Sequence, residues 1–328
     1  MAIAASYVTG FAVLRLLRFW RIMDNPNERS SHVQPTPRGG GLGIIGVFLI
    51  GAGPVVWLTA SVQGLMAGGL VVLLALVGFF DDRRPLPWWI RLGFYLFAAV
   101  AMALPFQVGT GLTSLVTLLG FSLLFAGYTN AFNFMDGING LAAGQAALSA
   151  AGLAAVALAA GVPATHPAVL LAVLLAGAAA GFLPHNFPAA RMFMGDLGSV
   201  PIGFLLMTLT VWLAHDGGWW LLPPLGALHA NFVMDTAITL VRRAGRRERL
   251  YAAHREHFYQ RLVRAGWSHG AATGLEMTIA GLVLAGLLAT VAFRPGSLTL
   301  AVALVPVIWT TFFVFCEREF RHRLREET

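Results

Sequence analysis

Leu65-Met-Ala-Gly-Gly-Leu-Val-Val-Leu-Leu-Ala-Leu-Val-Gly-Phe-Phe-Asp-Asp-Arg-Arg84 decides what kind of molecule this is. An uncharged, largely apolar run ends abruptly in two carboxylates and two guanidiniums. With Val62-Gln-Gly64 ahead of it, the run reaches the roughly 20 residues that a membrane-spanning helix needs. The charges fall where such a helix would meet water.

Runs of this kind recur along the whole chain. Of its 328 residues, 57% are hydrophobic and 11% charged, against about 25% charged in a soluble domain. Eleven candidate spans follow, at 2–19, 40–60, 62–80, 88–106, 112–131, 140–161, 167–186, 197–215, 218–241, 271–292 and 298–316. The expected fold is all-α, a polytopic membrane protein with about 10–11 transmembrane helices and a single domain over 1–328. Arg15 and Arg18 shorten the first run, which reads as a tilted anchor or an incomplete start. A cleaved signal peptide is the competing reading, but no Ala-x-Ala site precedes a soluble mature domain. The single Cys316 cannot form an internal disulfide.

A net charge of +7 would suggest nucleic acid in a soluble chain. Here the membrane accounts for it, and no nucleic-acid partner is expected. All 22 basic residues are arginine, and 21 of them lie in or beside alternate loops or in the C-terminal tail, leaving only Arg294 outside that set. Basic residues concentrate in cytoplasmic loops. The N-terminus is therefore expected outside, and the C-terminus in the cytoplasm with the loops at about 20–40, 80–90, 130–140, 186–199 and 242–270.

The unusual polar residues sort the same way. The loops read Asp24-Asn-Pro-Asn-Glu-Arg-Ser-Ser-His32 with Pro35-Thr-Pro-Arg-Gly-Gly-Gly41, then Gly78-Phe-Phe-Asp-Asp82, then Asn130-Ala-Phe-Asn-Phe-Met-Asp-Gly-Ile-Asn-Gly-Leu141. Next comes Asn186-Phe-Pro-Ala-Ala-Arg-Met-Phe-Met-Gly-Asp-Leu-Gly-Ser199, and last a basic loop with His254-Arg-Glu-His257. Adjacent carboxylates such as Asp81 and Asp82 repel unless a cation or a shared proton relieves them. Asp136 and Asp196 add two acids, each beside glycine or small residues that let a ligand approach the backbone. Carboxylate and amide oxygens suit Mg²⁺ or Mn²⁺ rather than zinc. Arg38, ahead of Gly39-Gly40-Gly41, offers forked donors for phosphate, and a glycine turn opening a helix can point N–H groups at anions. Together these residues describe a cytoplasmic cleft for a metal-bound diphosphate.

Each piece also has a plainer reading. Asp81-Asp82 can cap a helix, as can Asn133, Asp136 and Asp196. The glycine run can serve close helix packing. His254 and His257 can be phosphate partners, zinc ligands or surface residues. Residues 242–249 suit a lipid-facing basic collar, and Phe79, Phe80, Trp88 and Trp89 suit the membrane interface. Asp235, inside a span, is a functional suspect by position, with no role that the sequence assigns.

Five such motifs, in one order and on one membrane face, resemble the polyprenyl-phosphate N-acetylhexosamine-1-phosphate transferases, glycosyltransferase family 4. The resemblance covers the whole chain. It implies transfer of a sugar 1-phosphate from a UDP-N-acetylamino sugar to polyprenyl phosphate (undecaprenyl in bacteria), with UMP released, at the inner membrane. It further implies Mg²⁺ (or Mn²⁺) on Asp196 and Asp136, and Asp81, Asp82, His254 and His257 as catalytic groups. Arg29, Arg38, Asn130, Asn133, Asp136, Asn139 and Asn186 would bind substrate, and Phe193 would stack on uracil. A homodimer is compatible with such an enzyme. Two departures set the chain apart from the phospho-N-acetylmuramoyl-pentapeptide transferase branch. Asn139 stands where that branch has a second acid after the Asp-Gly, and His254-Arg-Glu-His257 replaces three consecutive histidines. The pattern is more similar to the branch that starts O-antigen or related surface glycans. The muramoyl-pentapeptide transferase remains the alternative within the family. A secondary transporter is the alternative outside it, although transporters place ionisable sites near the midplane of inverted repeats, and these acids cluster at span ends.

Overall fold

The computed structural model describes residues 1–26, 34–252 and 254–326. Ten of its helices are long and apolar enough to cross a membrane. They are α1 (Ala2–Phe19), α2 (Gly41–Thr59), α3 (Val62–Arg83), α4 (Trp88–Ala103), α5 (Leu112–Phe134), α6 (Leu141–Ala159), α7 (Pro167–Asn186) and α8 (Asp196–Gly217), with α12 (His269–Phe293) and α13 (Leu298–Glu326). Three shorter helices, α9 (Leu222–Ala227), α10 (Ala230–Gly245) and α11 (Phe258–Arg264), lie between α8 and α12. The chain is an all-α polytopic membrane protein, and its first span is a complete helix of 18 residues in spite of Arg15 and Arg18.

The expected span at 218–241 is the one that differs. Pro223 and Pro224 open α9 in its first turn, where a missing N–H costs nothing. The helix then breaks before α10. Backbone groups freed within an apolar bundle need partners, and side chains from other helices supply them. Leu228 O accepts from Gln145 Nε2 at 2.8 Å and from Ser149 Oγ at 3.2 Å. His229 sits at 2.9 Å from Thr210 Oγ1 and 2.8 Å from the Tyr128 hydroxyl. The broken segment nevertheless reaches from the middle of α5 to the cavity end. Trp219 stacks on Phe121, deep along α5, while Asp235 further on bonds His257 beside the helix ends that carry the acids.

α8 is the central post. All of its apolar window is buried, as expected of a helix apolar on every face, and α2, α3, α5 and α6 pack around it. Two close approaches fix its first turn. A Cβ on Gly78 of α3 would strike Asp196 O, and a Cβ on Gly41 of α2 would strike Gly198 Cα. The N–H groups of Gly40 and Gly41 donate to Phe193 O and Met194 O at 2.8 and 2.9 Å. The glycine run therefore serves packing, and those two N–H groups are not directed at an anion. Among the described residues the one sheet is a two-residue antiparallel ladder, Met23–Asp24 on Thr36–Pro37. It gathers the ends of the first loop beside α8.

Candidate functional site

Helix ends and loops at one end of the bundle enclose a cavity of about 680 Å³, within the range of small-molecule sites. Asp24, Arg38, Asp81, Arg91, Asn133, Asp136, Asn186, Phe193 and Asp196 line it on one side of the sequence. Tyr251, His254, Arg255, His257, Gln260 and Arg264, from the segment between α10 and α12, complete the wall.

The acids are held by two arginines. Arg38 lies 2.6 Å from Asp82 through Nε and 2.6 Å from Asp196 through Nη2. Arg91 bonds Asp81 at 3.0 Å and approaches Asp196 at 3.6 Å. Burial works against the Arg38 charge, but Asp196, Asp82 and Asp24 beside it outweigh that and hold the guanidinium pKa above its ordinary value. Asp136, on the loop between α5 and α6, accepts Gly195 N–H at 3.2 Å. Burial pushes its carboxyl well up; Arg38 opposes this while Asp196 and Asp82 add to it. A cation arriving at Asp136 would meet a carboxyl that holds its proton more tightly than usual.

Asp82, expected as a catalytic group, holds the start of α8. Its side chain is 1% exposed and is not among the cavity-lining groups. The α8 N-cap is Gly195, at φ 74°, which has no side chain to close the helix. Asp82 does so from α3, accepting Asp196 N–H and Leu197 N–H at 3.0 Å each. It satisfies two orphan donors and places a negative charge at a helix N-terminus. Asp81, one residue earlier, accepts Leu86 N–H at 2.6 Å and remains on the cavity wall.

The other expected residues divide as follows. Asn133 donates to Ser199 Oγ at 2.9 Å and faces the cavity. Asn186 also lines it, but both ends of its amide join loops, Oδ1 accepting Gly140 N–H at 2.8 Å and Nδ2 donating to Met192 O at 3.0 Å. Phe193 lines the cavity and bridges to Arg38 through the backbone. Asn130 and Asn139 are not cavity residues. Asn130 is one turn of α5 further from the cavity than Asn133. Asn139 points away, donating to Pro188 O at 3.0 Å and accepting the Thr273 hydroxyl on its own backbone oxygen at 2.8 Å. Arg29 lies outside the described residues.

His254 and His257 are neighbours, their ring centroids 4.9 Å apart. Burial, then His257 and Arg243, pull the His254 pKa down from 6.5 to about 4, so its ring is neutral at pH 7. His257 is buried, its Nδ1 2.7 Å from Asp235. Arg243, expected in a lipid-facing collar, is 3% exposed. It donates to Glu248, Ala252 O and Arg249 O at 2.9 to 3.0 Å, which shapes the loop bearing Tyr251. That loop closes over the cavity, where Tyr251 stacks on Trp88 of α4 at 5.4 Å.

The donor set allows a divalent cation of one kind. Among the described residues no three His, Cys, Asp or Glu side chains converge as a metal cage. Mg²⁺ seldom needs one, taking one or two carboxylates and completing its shell with phosphate and water. Asp196, with Asp81 or Asp136 on the same cavity, fits that mode.

The family model for glycosyl transferase family 4 matches residues 64–214. Decaprenyl-phosphate N-acetylglucosaminephosphotransferase of Mycolicibacterium smegmatis is 31% identical over 362 residues, covering 97% of this chain and 87% of that one. A probable undecaprenyl-phosphate N-acetylglucosaminyl 1-phosphate transferase of Bacillus subtilis is 26% identical over 265 residues, 75% of this chain and 71% of that one. Phospho-N-acetylmuramoyl-pentapeptide-transferase of Limosilactobacillus reuteri is 30% identical over 228 residues, 63% and 68%. Fold, cavity and relatives together define a multi-pass membrane transferase. The chain belongs to glycosyl transferase family 4.

Proposed function

We propose that the protein transfers N-acetylglucosamine 1-phosphate from UDP-N-acetylglucosamine to a polyprenyl phosphate and releases UMP. The observation that carries this reading is the single cavity in which four carboxylates, Arg38, Arg91 and a His-Arg wall meet, in a chain similar over 97% of its length to an enzyme named for that reaction. The lipid product would begin a surface glycan, with O-antigen the expected one.

In the reaction an oxygen of the lipid phosphate forms a bond to the sugar-bearing phosphorus. The bond from that phosphorus to the bridging oxygen breaks, and the electrons leave on UMP. One phosphoanhydride replaces another, so catalysis rests on positioning and charge neutralisation. Asp196, with Asp81 or Asp136, would hold Mg²⁺ (or Mn²⁺), whose charge when bound draws off the charge developing on the diphosphate. Arg38 and Arg91 would steer phosphate oxygens while keeping the acids apart. Phe193 offers a ring for the uracil, and His254, His257, Arg255 and Arg264 offer donors to the transferred phosphate.

The test is purified protein with undecaprenyl phosphate, Mg²⁺ and a panel of UDP-sugars that includes UDP-N-acetylmuramoyl pentapeptide. UMP should appear fastest with UDP-N-acetylglucosamine. Release from the pentapeptide donor alone would move the chain to the other branch, and release from none would end the proposal.

The cavity is proposed to open to the cytoplasm of a bacterial inner membrane. Its support is that, along the sequence, 21 of the 22 arginines fall in or beside the loops that also carry the cavity acids, or in the C-terminal segment. The Glu317 end of α13 is tied there by Arg242 and Arg261 at 3.2 and 2.5 Å. With the broken segment at 218–241 counted as a passage beside the ten long helices, the N-terminus would lie outside. Cysteines at the exposed Gly109, Thr165 and Gly296 should react with impermeant reagents in whole cells, and those at Arg84 and Arg247 only after permeabilisation. The inverse labelling would turn the cavity outward and exclude a cytosolic nucleotide donor.

A further inference from the structure

Asp235 is a buried acid that does not line the cavity. It lies on α10, 1% exposed, and is absent from the cavity wall. Isolated carboxylates inside a membrane bundle are costly and call for partners. Three groups supply them. Phe258 N–H donates to Oδ2 at 2.8 Å, the Thr239 hydroxyl donates to Oδ1 at 3.1 Å, and His257 Nδ1 lies 2.7 Å from the same Oδ1. Phe258 N–H can only donate and the Thr239 hydroxyl is placed to donate, which suits an accepting carboxylate. The His257 Nδ1 then carries the proton and donates it. His257 itself lines the cavity, so Nε2 is the ring atom left for a ligand.

We infer that Asp235 is a positioning residue for the transfer reaction: it sets the tautomer and ring orientation of His257, so that Nε2 is presented to the phosphate. This rests on the proposed transferase reading. The geometry supplies what a loop histidine otherwise lacks. Among the described residues of 246–257 none is helical, and the Asp235 carboxylate secures both the first turn of α11, through Phe258 N–H, and the ring of the residue before it. His254, three residues earlier, touches no carboxylate in this way. An acid that orients an imidazole through Nδ1 in order to use Nε2 is a recurring arrangement in hydrolytic triads.

The test is Asp235→Asn, which keeps the shape and changes one atom. An amide has a single acceptor oxygen, and Phe258 N–H requires it. The amide NH₂ must then face His257 Nδ1, which can only accept, and the ring proton moves to Nε2. Nitrogen-15 NMR of histidine-labelled protein, with the His257 signals identified by their loss in His257→Gln, should show protonated Nδ1 in the wild type and protonated Nε2 in Asp235→Asn. In the UMP-release assay kcat should fall about 100-fold, the lower range for a positioned acid–base group, with KM for the UDP-sugar changed less than threefold. In a His257→Gln background the same substitution should cost no further activity. Wild-type kcat in Asp235→Asn, or a wild-type Nδ1 without a proton, would overturn the inference. The tautomer is read without substrate, so a protein that releases no UMP from any donor would fail the proposed function and leave the NMR result to decide the role of Asp235.

Discussion

Asp196→Asn should lower turnover by about 10³-fold or more, the several kcal/mol expected when a carboxylate that helps neutralise a reacting phosphate is lost. The protein should still fold. The α8 N-terminus keeps its cap, because Asp82 from α3 accepts the Asp196 and Leu197 N–H groups at 3.0 Å each, and neither bond involves the Asp196 side chain. Arg38 keeps Asp82 at 2.6 Å and Arg91 keeps Asp81 at 3.0 Å. What the variant lacks is the charge that both guanidiniums face and that a cation would share. Chelation of the wild-type protein should reproduce the loss, and Mg²⁺ should restore activity to the wild type alone. Thermal unfolding in detergent separates the outcomes. A variant that unfolds at the wild-type temperature and turns over at near-normal rate would reduce Asp196 to a residue of the helix end.

The spans could be read from the sequence because a bilayer imposes one demand, about 20 apolar residues with every backbone group paired inside the helix. The run from Val62 to Phe80 meets it by composition alone. The break in the run at 218–241 could not be read in the same way. Its partners are Gln145, Ser149, Tyr128 and Thr210, and those bonds join residues 19 to 101 positions apart. The same limit applies to the site. Asp81, Asp136 and Asp196 stood out because acids are rare in this chain, and all three do line the cavity. Arg91 was read only as a topological charge, although it joins two of those acids. Asp82 looked equivalent to Asp81 in sequence, yet the bonds that make it a cap reach 114 and 115 residues along the chain. Asn139 belonged to a good motif and points the other way. A motif reports that a loop is held in one shape; it does not report which of its side chains hold the loop and which face the ligand.

The arrangement of the acid pair also bears on the route of transfer. With enzyme, Mg²⁺ and UDP-sugar but no lipid phosphate, labelled UMP should not enter the UDP-sugar pool. Such exchange requires a carboxylate to attack the donor, release UMP and hold the phosphosugar until UMP returns. Asp82 is poorly placed for that. Both its oxygens accept α8 N–H groups, and Arg38 pairs with Oδ1 at 2.6 Å, so an attack would uncap the central helix of the bundle. Asp81 is nearer the cavity, but Leu86 N–H binds Oδ1 at 2.6 Å and Arg91 binds Oδ2 at 3.0 Å. Charge-assisted bonds of this kind stabilise a carboxylate in its ground state and lower its tendency to form a new bond. An oxygen of the lipid phosphate is already a competent nucleophile. Direct attack, with Asp81 and Arg91 organising charge beside it, therefore needs no covalent relay. The experiment requires protein stripped of co-purified lipid, since residual polyprenyl phosphate would allow exchange by reversal of the ordinary reaction. Label entering UDP-sugar at a rate near kcat in such protein, and lost in Asp81→Asn, would establish the covalent route.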